Sequence, residues 1–221
     1  MSRDLLSISK RYYRDDGTRK PDHYFKVYEQ YLSPLRDKPI NILELGVSSG
    51  ASVLTWNEYF PCANIVCLDI SPKPDNLKLA IPITDNIKFV QGDQSAITSL
   101  RECMDQSTNG TFDVIIDDAA HVGALAKASF DFFFPLMPSG GLYFVEDFGT
   151  GYFPGFYDGE EYKSPSNADP TRFSSHESGM VGWLKQLVDV IHWPQINPTN
   201  DSIPPIESIF FWHSIALVTR K

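Results

Sequence analysis

The chain has 221 residues, 42% of them hydrophobic, which suffices for one α/β domain with a full core and falls short of two ordinary domains. Its formal charge is -9 and its pI near 4.9, with no window dense in Lys and Arg, so a nucleic-acid backbone would be repelled rather than steered. The opening MSRDLLSISKRYYRDDG is too charged for a signal peptide and no run of about 18 apolar residues occurs, which excludes a membrane partner and predicts a cytoplasmic protein.

Residues 1–21 read as a polar arm. From Asp22, apolar residues at Tyr24, Phe25, Val27, Tyr28, Tyr31 and Leu32 recur at helical spacing, and the prolines of SPLRDKP end that helix. Asn41 to Leu45 has the continuous apolar character of a strand buried on both faces; Gly46 to Gly50 and a helix from Ala51 to about Phe60 follow. Further strands are predicted at Ile65–Asp69, Ile87–Val90, Val114–Ile116 and Leu142–Val145, with a helix near Ala96 to Met104 and another from about Val122. Alternating strands and helices indicate a parallel sheet wound by right-handed crossovers. Residues 149–179, dense in Gly, Pro, Ser and aromatics, read as a substrate lid rather than a solvated linker. Met180 to Ile191 is an amphipathic helix, and Ile206–Trp212 with Ser214–Thr219 forms a terminal hairpin, completing a Rossmann-like, mostly parallel sheet of seven strands over residues 22–221. The three cysteines, Cys62, Cys67 and Cys103, lack a CxxC pair and lie in or near apolar stretches, as reduced core thiols do.

In an open parallel sheet, ligands bind beyond the carboxyl ends of the strands, and the turn after the first strand is the usual contact. Here that turn is Glu44-Leu45-Gly46-Val47-Ser48-Ser49-Gly50. A dinucleotide fingerprint would need glycines where the chain has Gly46, Ser48 and Ala51, and no Gly-Lys-Ser/Thr of a P-loop follows. An acid two residues before one glycine, then a second glycine, resembles motif I of class I S-adenosylmethionine-dependent methyltransferases. Asp69 ends the second strand, placed to accept from both ribose hydroxyls, and Gly92-Asp93-Gln94 follows the third, placed to hold adenine. The candidate cofactor residues are Glu44, Gly46, Ser49, Gly50, Ser52, Asp69, Ile70, Gly92, Asp93, Gln94 and Asp117. A Gly-rich turn is commonly only a turn and a strand-ending Asp only a cap. Their order after three successive strands favours the nucleoside cofactor.

The reacting side lies in Phe112 to Phe153. Asp117-Asp118 follows the fourth strand, His121 sits three residues after Asp118, and Glu146-Asp147 follows the fifth. Strand ends of this kind are neighbours in a doubly wound sheet, so carboxylates and an imidazole converge. Crowded carboxylates repel, and a hard cation such as Mg²⁺ relieves that repulsion. Consecutive residues of a strand face opposite ways, which divides Asp117 toward the cofactor from Asp118 toward the metal. Glu146 and Asp147 can share one ion only if the backbone turns there, as Gly149 and Gly151 would allow. His121 is the candidate base for an alcohol proton. Taken alone, it would more often cap or pack, and Glu146-Asp147 would be a solvated turn. His23, His176, His192 and His213 lack such company, although His23 and His176 could reach the site from mobile segments. Tyr152, Phe153, Phe156 and Tyr157 are candidates for stacking on a sugar face.

Together, INILELGVSSGASV, IVCLDI, VQGDQS, FDVIIDDAAHV and the segment from ASFDFFFPLMPSGGLYFVEDFG onward resemble the metal-dependent sugar O-methyltransferases of macrolide and tetracenomycin pathways, from about Asp22 to near the end. The pairing of IDDxxH with EDxxT is the most specific part. The resemblance implies methyl transfer from S-adenosylmethionine to a sugar hydroxyl of a glycosylated natural product or polysaccharide, with Mg²⁺ held by Asp118, Glu146 and Asp147 and with His121 as base. A homo-oligomer is compatible with it. The alternatives are an O-methyltransferase for a catechol-like diol and a non-catalytic S-adenosylmethionine-binding protein.

Overall fold

The computed structural model describes residues 4–13, 19–80, 85–162, 175–197 and 205–221. They form two compact units, Met1–Ile115 and Ile116–Lys221. The strands make one seven-stranded sheet in the order β3-β2-β1-β4-β5-β7-β6, counted along the chain: β1 (Asn41–Leu45), β2 (Asn64–Asp69), β3 (Ile87–Gln91), β4 (Val114–Asp117), β5 (Leu142–Glu146), β6 (Ile206–Trp212) and β7 (Ile215–Arg220). This is the mixed sheet read from the sequence, with the C-terminal hairpin antiparallel.

In the first unit, β1 pairs in parallel with β2, Glu44 opposite Cys67, and β2 in parallel with β3, Asp69 opposite Gln91. All five residues of β1 are buried, which is why its sequence runs apolar without alternation. Helices α1 (Leu5–Ser9), α2 (Asp22–Leu32), α3 (Ala51–Tyr59), α4 (Asp75–Ala80) and α5 (Ile97–Gln106) belong to this unit. The predicted polar arm is not bare: Leu5 and Ile8 are buried, Asp4 caps α1 by accepting from the Ser7 amide at 2.8 Å, and the Leu5 amide donates to Glu29 Oε2 at 2.8 Å. Arg11 and Tyr12 both reach Glu58. Helix α4 was not evident because a single apolar residue, Leu77, is buried along it. Of the cysteines, Cys67 and Cys103 are core thiols while Cys62 is exposed, at the turn after α3, contrary to the expectation for it. Burial pushes the Cys103 thiol up to about 12 and the Cys67 thiol well above its ordinary value.

In the second unit, α6 (Gly123–Phe133) packs against α7 (Gly179–Ile196) and, through Phe130 and Tyr143, against β5. Phe130 stacks on Phe134 at 4.5 Å between ring centres and meets Tyr143 and Trp183 edge-on at 5.0 and 5.3 Å. Helix α7 runs past the predicted Ile191 and takes in Pro194 near its end. Residues 148–162 form two short 3-10 turns, Phe148–Tyr152 and Asp158–Glu161, within the predicted lid; 163–174 of that segment lie outside the described residues. No helix among the described residues is long and apolar enough to cross a membrane.

Candidate functional site

In the first unit, the loop after β1 is built on left-handed backbone: Gly46, Ser48 and Gly50 have φ of 85°, 47° and 84°. These turns direct the amides of Val47 and Ser48 onto Asp69 Oδ2 at 2.7 and 3.1 Å, while Asp69 Oδ1 accepts from the Ser71 amide at 2.8 Å. Asp69 was expected to accept from two ribose hydroxyls. A carboxylate has roughly four acceptor positions, and three are taken by backbone, so in this arrangement its first role is to clasp the loop. Asn76 of α4 donates to the Ser49 carbonyl at 2.9 Å, and Leu77 lies 3.0 Å from where a side chain on Gly50 would begin. Gly50→Val is therefore expected to cost about 2 kcal/mol or more, from left-handed strain and contact with Leu77, read as a lower midpoint in chemical denaturation.

Asp93 accepts at one oxygen, Oδ1, from the Ser95 amide at 2.7 Å and the Ser95 hydroxyl at 2.8 Å. These bonds hold its carboxyl below the usual range, so it is ionised at neutral pH. Gln94 and Ser52 are buried, whereas Ile70 is 71% exposed. Glu44 is fully buried and has Lys20 Nζ at 3.9 Å from its Oε1.

In the second unit, three predicted residues come together. Ligand atoms of Asp118, His121 and Asp147 all lie within 4.8 Å of one another. His121 Nε2 is 3.8 Å from Asp118 Oδ1 and 3.7 Å from Asp147 Oδ2. All three are half-buried. His121 and Asp147 have φ of 52° and 54°, so the chain turns sharply at both, just where β4 and β5 have ended. The turn that Glu146 and Asp147 needed is made by Asp147 itself, ahead of Gly149 and Gly151. Backbone held in this sparsely populated region tends to mark functional positions. Glu146, the last residue of β5, is buried and lies outside the group of three.

Opposite oxygens around Mg²⁺ are ~4.2 Å apart, so the spread of the three donors suits such an ion after a small contraction. The two carboxylates fit its hard character, whereas the imidazole is a softer donor, better suited to taking a proton beside such an ion than to binding it.

Asp117 faces the other way. Its carboxylate is buried, with Oδ2 accepting from Ser129 Oγ at 3.1 Å and from the Tyr143 hydroxyl at 3.3 Å. Burial first, and this carboxylate second, push the Tyr143 hydroxyl well above its ordinary pKa. The division of the Asp pair by strand alternation holds, but the inward partner serves the core under α6, and this geometry lends no support to the cofactor contact expected of it.

Two further residues organise this side, Asp158, which the sequence reading did not single out, and His176. Val122 precedes α6 as a residue that cannot cap, and Ser178 before α7 makes no side-chain cap. Asp158, from the predicted lid and 4% exposed, supplies both: its Oδ2 accepts from the Gly123 amide at 2.7 Å and the Met180 amide at 2.6 Å. The approach is close enough that a Cβ on Gly123 would strike the Gly179 backbone, and one on Gly179 would strike Asp158. His176 is 2% exposed and packs against its neighbours. Its Nε2 contacts the Gly151 carbonyl at 2.7 Å, its Nδ1 accepts from the Ser178 amide at 3.3 Å, and its ring stacks on Tyr162 at 4.8 Å. A Gly-Tyr-Phe-Pro-Gly surface loop carries no periodic pattern, so neither role was visible in it. Tyr152 packs against His176 and Tyr162, while Phe153, Phe156 and Tyr157 are exposed, Tyr157 by 73%. His23 sits in α2, edge-on to Tyr24.

No family model matches the chain. It is 30% identical over 210 residues to the 8-demethyl-8-alpha-L-rhamnosyl tetracenomycin-C 2'-O-methyltransferase of Streptomyces olivaceus, covering 90% of this chain and 50% of that protein. To the mycinamicin VI 2''-O-methyltransferase of Micromonospora griseorubida it is 31% identical, over 98% of this chain and 52% of that protein. The chain thus spans about half the length of the curated relatives it matches. Among solved structures, the methyltransferase MycE of the mycinamycin pathway, in complex with Mg, SAH and mycinamycin VI, matches with a TM-score of 0.77 at 27% identity, over 98% of this chain and 53% of that one. A strand order with an antiparallel C-terminal hairpin, acids after successive strands, and similarity to these enzymes along nearly all its residues together show that the chain has the class I methyltransferase fold and is similar to the sugar O-methyltransferases.

Proposed function

We propose that the chain carries a metal-dependent O-methyltransferase activity, moving the methyl group of S-adenosylmethionine to a hydroxyl on the sugar of a glycosylated natural product. The observation that carries this reading is the group formed by Asp118, His121 and Asp147 on two sharply turned segments. Support comes from the curated relatives, named as methyltransferases of rhamnosyl tetracenomycin and mycinamicin, and from a solved structure described with Mg and SAH.

In this reading Asp118 and Asp147, with the neighbouring Glu146, would hold Mg²⁺. The ion, when bound, supplies positive charge that eases ionisation of an acceptor hydroxyl. His121 Nε2 takes the hydroxyl proton, and Asp118 and Asp147, 3.8 and 3.7 Å from it, stabilise the imidazolium so formed. The acceptor oxygen forms a bond to the methyl carbon as the carbon–sulfur bond breaks, and the neutral thioether leaves. Much of the rate comes from alignment, which the exposed Phe153, Phe156 and Tyr157 would serve by holding a sugar face.

Calorimetric titration with S-adenosylmethionine and with Mg²⁺, followed by turnover on a rhamnosylated acceptor, tests this. The expected result is cofactor binding, a Mg²⁺ requirement, and a His121→Ala variant that keeps Mg²⁺ affinity within a few-fold while losing about 10²- to 10⁴-fold in kcat. Failure to bind the cofactor overturns the reading. Loss of Mg²⁺ affinity in His121→Ala would instead make the imidazole a ligand.

A further inference from the structure

A groove of about 420 Å³ opens in the second unit between the starts of α6 and α7, within the range of roughly 300–1,000 Å³ that small-ligand sites occupy. Its shape is set before any ligand arrives, because Asp158 accepts from the Gly123 amide at 2.7 Å and the Met180 amide at 2.6 Å and so clamps the two helix starts together. A ligand entering it has little backbone to order. The lining selects by charge. Asp158 and Glu177 stand against an anion, although two helices begin here, and Lys127, whose ammonium bonds to Asp131, stands against a cation. A neutral ligand is what remains. Tyr157 and Trp183 bring aromatic surface, while Lys127, Glu177 and Gln186 bring donors and acceptors from exposed positions. That mixture matches a ring with apolar C–H faces and an edge of hydroxyls, which is the chemistry of a sugar. The groove also has a fixed relation to the group of Asp118, His121 and Asp147. Gly123, in its wall, follows His121 by two residues, so their Cα atoms are no more than about 7 Å apart.

We propose that this groove is a second acceptor subsite, which holds a neutral sugar ring bonded to the sugar that is methylated, so that a two-ring glycoside is used in preference to a single ring. This rests on the methyl-transfer reading above and deepens it: the reacting hydroxyl stands at His121, and the next ring reaches past the start of α6. Tyr157, one of three exposed aromatics of its loop, then serves the second ring, and Phe153 and Phe156 serve the first. Binding a part of the substrate that does not react helps to align the part that does, so the second ring acts on kcat/KM.

The probes are methyl α-L-rhamnopyranoside, with one ring, and the methyl glycoside of an α-L-rhamnosyl disaccharide, with two; naphthyl α-L-rhamnopyranoside carries a flat apolar group in place of the second sugar. With S-adenosylmethionine and Mg²⁺ present, kcat/KM for the disaccharide is expected to exceed that for the single ring by about 10- to 100-fold. Ala124→Trp and Gln186→Trp each put a bulky side chain into the groove from an exposed position, one on each helix, and each is expected to bring that ratio to within about 2-fold of one. Having one variant on each wall keeps the test decisive where either folds poorly. A ratio near one in the unaltered protein, or a ratio that both variants leave intact, overturns the subsite while the methyl-transfer reading stands. A preference for the naphthyl glycoside over the disaccharide, removed by both variants, overturns the choice of a sugar. Where no rhamnoside is turned over, titration calorimetry of the disaccharide into protein loaded with S-adenosylhomocysteine decides. Binding that both variants abolish supports the subsite and overturns the transfer reading; absence of binding overturns both.

Discussion

Asp158→Ala is expected to lower the unfolding free energy by about 3–5 kcal/mol. The Gly123 and Met180 amides, both buried donors in the first turns of their helices, lose their acceptor together. Each buried donor left without a partner costs about 1–3 kcal/mol, and loss of the negative charge at each helix start adds about 0.3–1 kcal/mol. Val122 has no polar side chain with which to cap α6, and Ser178 makes no side-chain cap on α7. For a chain of this size 1 kcal/mol moves the melting temperature by about 2–4 °C, so calorimetry should record a fall on the order of 10 °C. Asp158→Asn keeps one amide oxygen as acceptor and should recover part of it. Gly123 follows His121 by two residues, so His121 should also lose its fixed orientation and turnover should fall even below the melting transition. A drop under about 1 kcal/mol would mean that the two amides find other partners and that the double cap has little weight.

Asp147→Ala and Asp118→Ala are expected to lower turnover by about 10²- to 10³-fold or more, with little effect on folding because both side chains are half-exposed. Loss of the response to Mg²⁺ distinguishes this from general damage. Chelator-treated unaltered protein should regain activity on titration with Mg²⁺, and the variants should not. Asp147 needs a control, because at φ 54° alanine is less comfortable than aspartate. Asn tolerates that conformation, so Asp147→Asn separates the lost charge from the strained backbone. Retention of Mg²⁺-dependent turnover in both Asp147 variants would remove Asp147 from the metal site.

The fold was legible because β1, β2, β4 and β5 are buried along most of their length and therefore read as short, largely apolar runs with an acid at or next to the end. The turn chemistry around Gly46 and Gly50 was legible for a similar reason: glycine is the residue that accepts φ near 85° without strain. Less of the site could be read. That Asp118 and His121 face Asp147 follows from order along the chain and strand placement, but the left-handed turns at His121 and Asp147 lie on residues that carry no such signature. Asp117 was sent to the cofactor by strand alternation, a rule that says which two faces exist and not what covers them; Ser129 and Tyr143 cover this one.

Local sequence determined the alternation of strands and helices and the acids near the strand ends, because each depends on residues within a few positions of one another. Tertiary structure decided which carboxylates meet the imidazole, that Lys20 reaches Glu44, and that Asp158 caps two helices from a loop 35 and 22 residues away. Those contacts depend on side-chain direction and on close approach of distant backbone, and neither leaves a periodic trace in the order of residues.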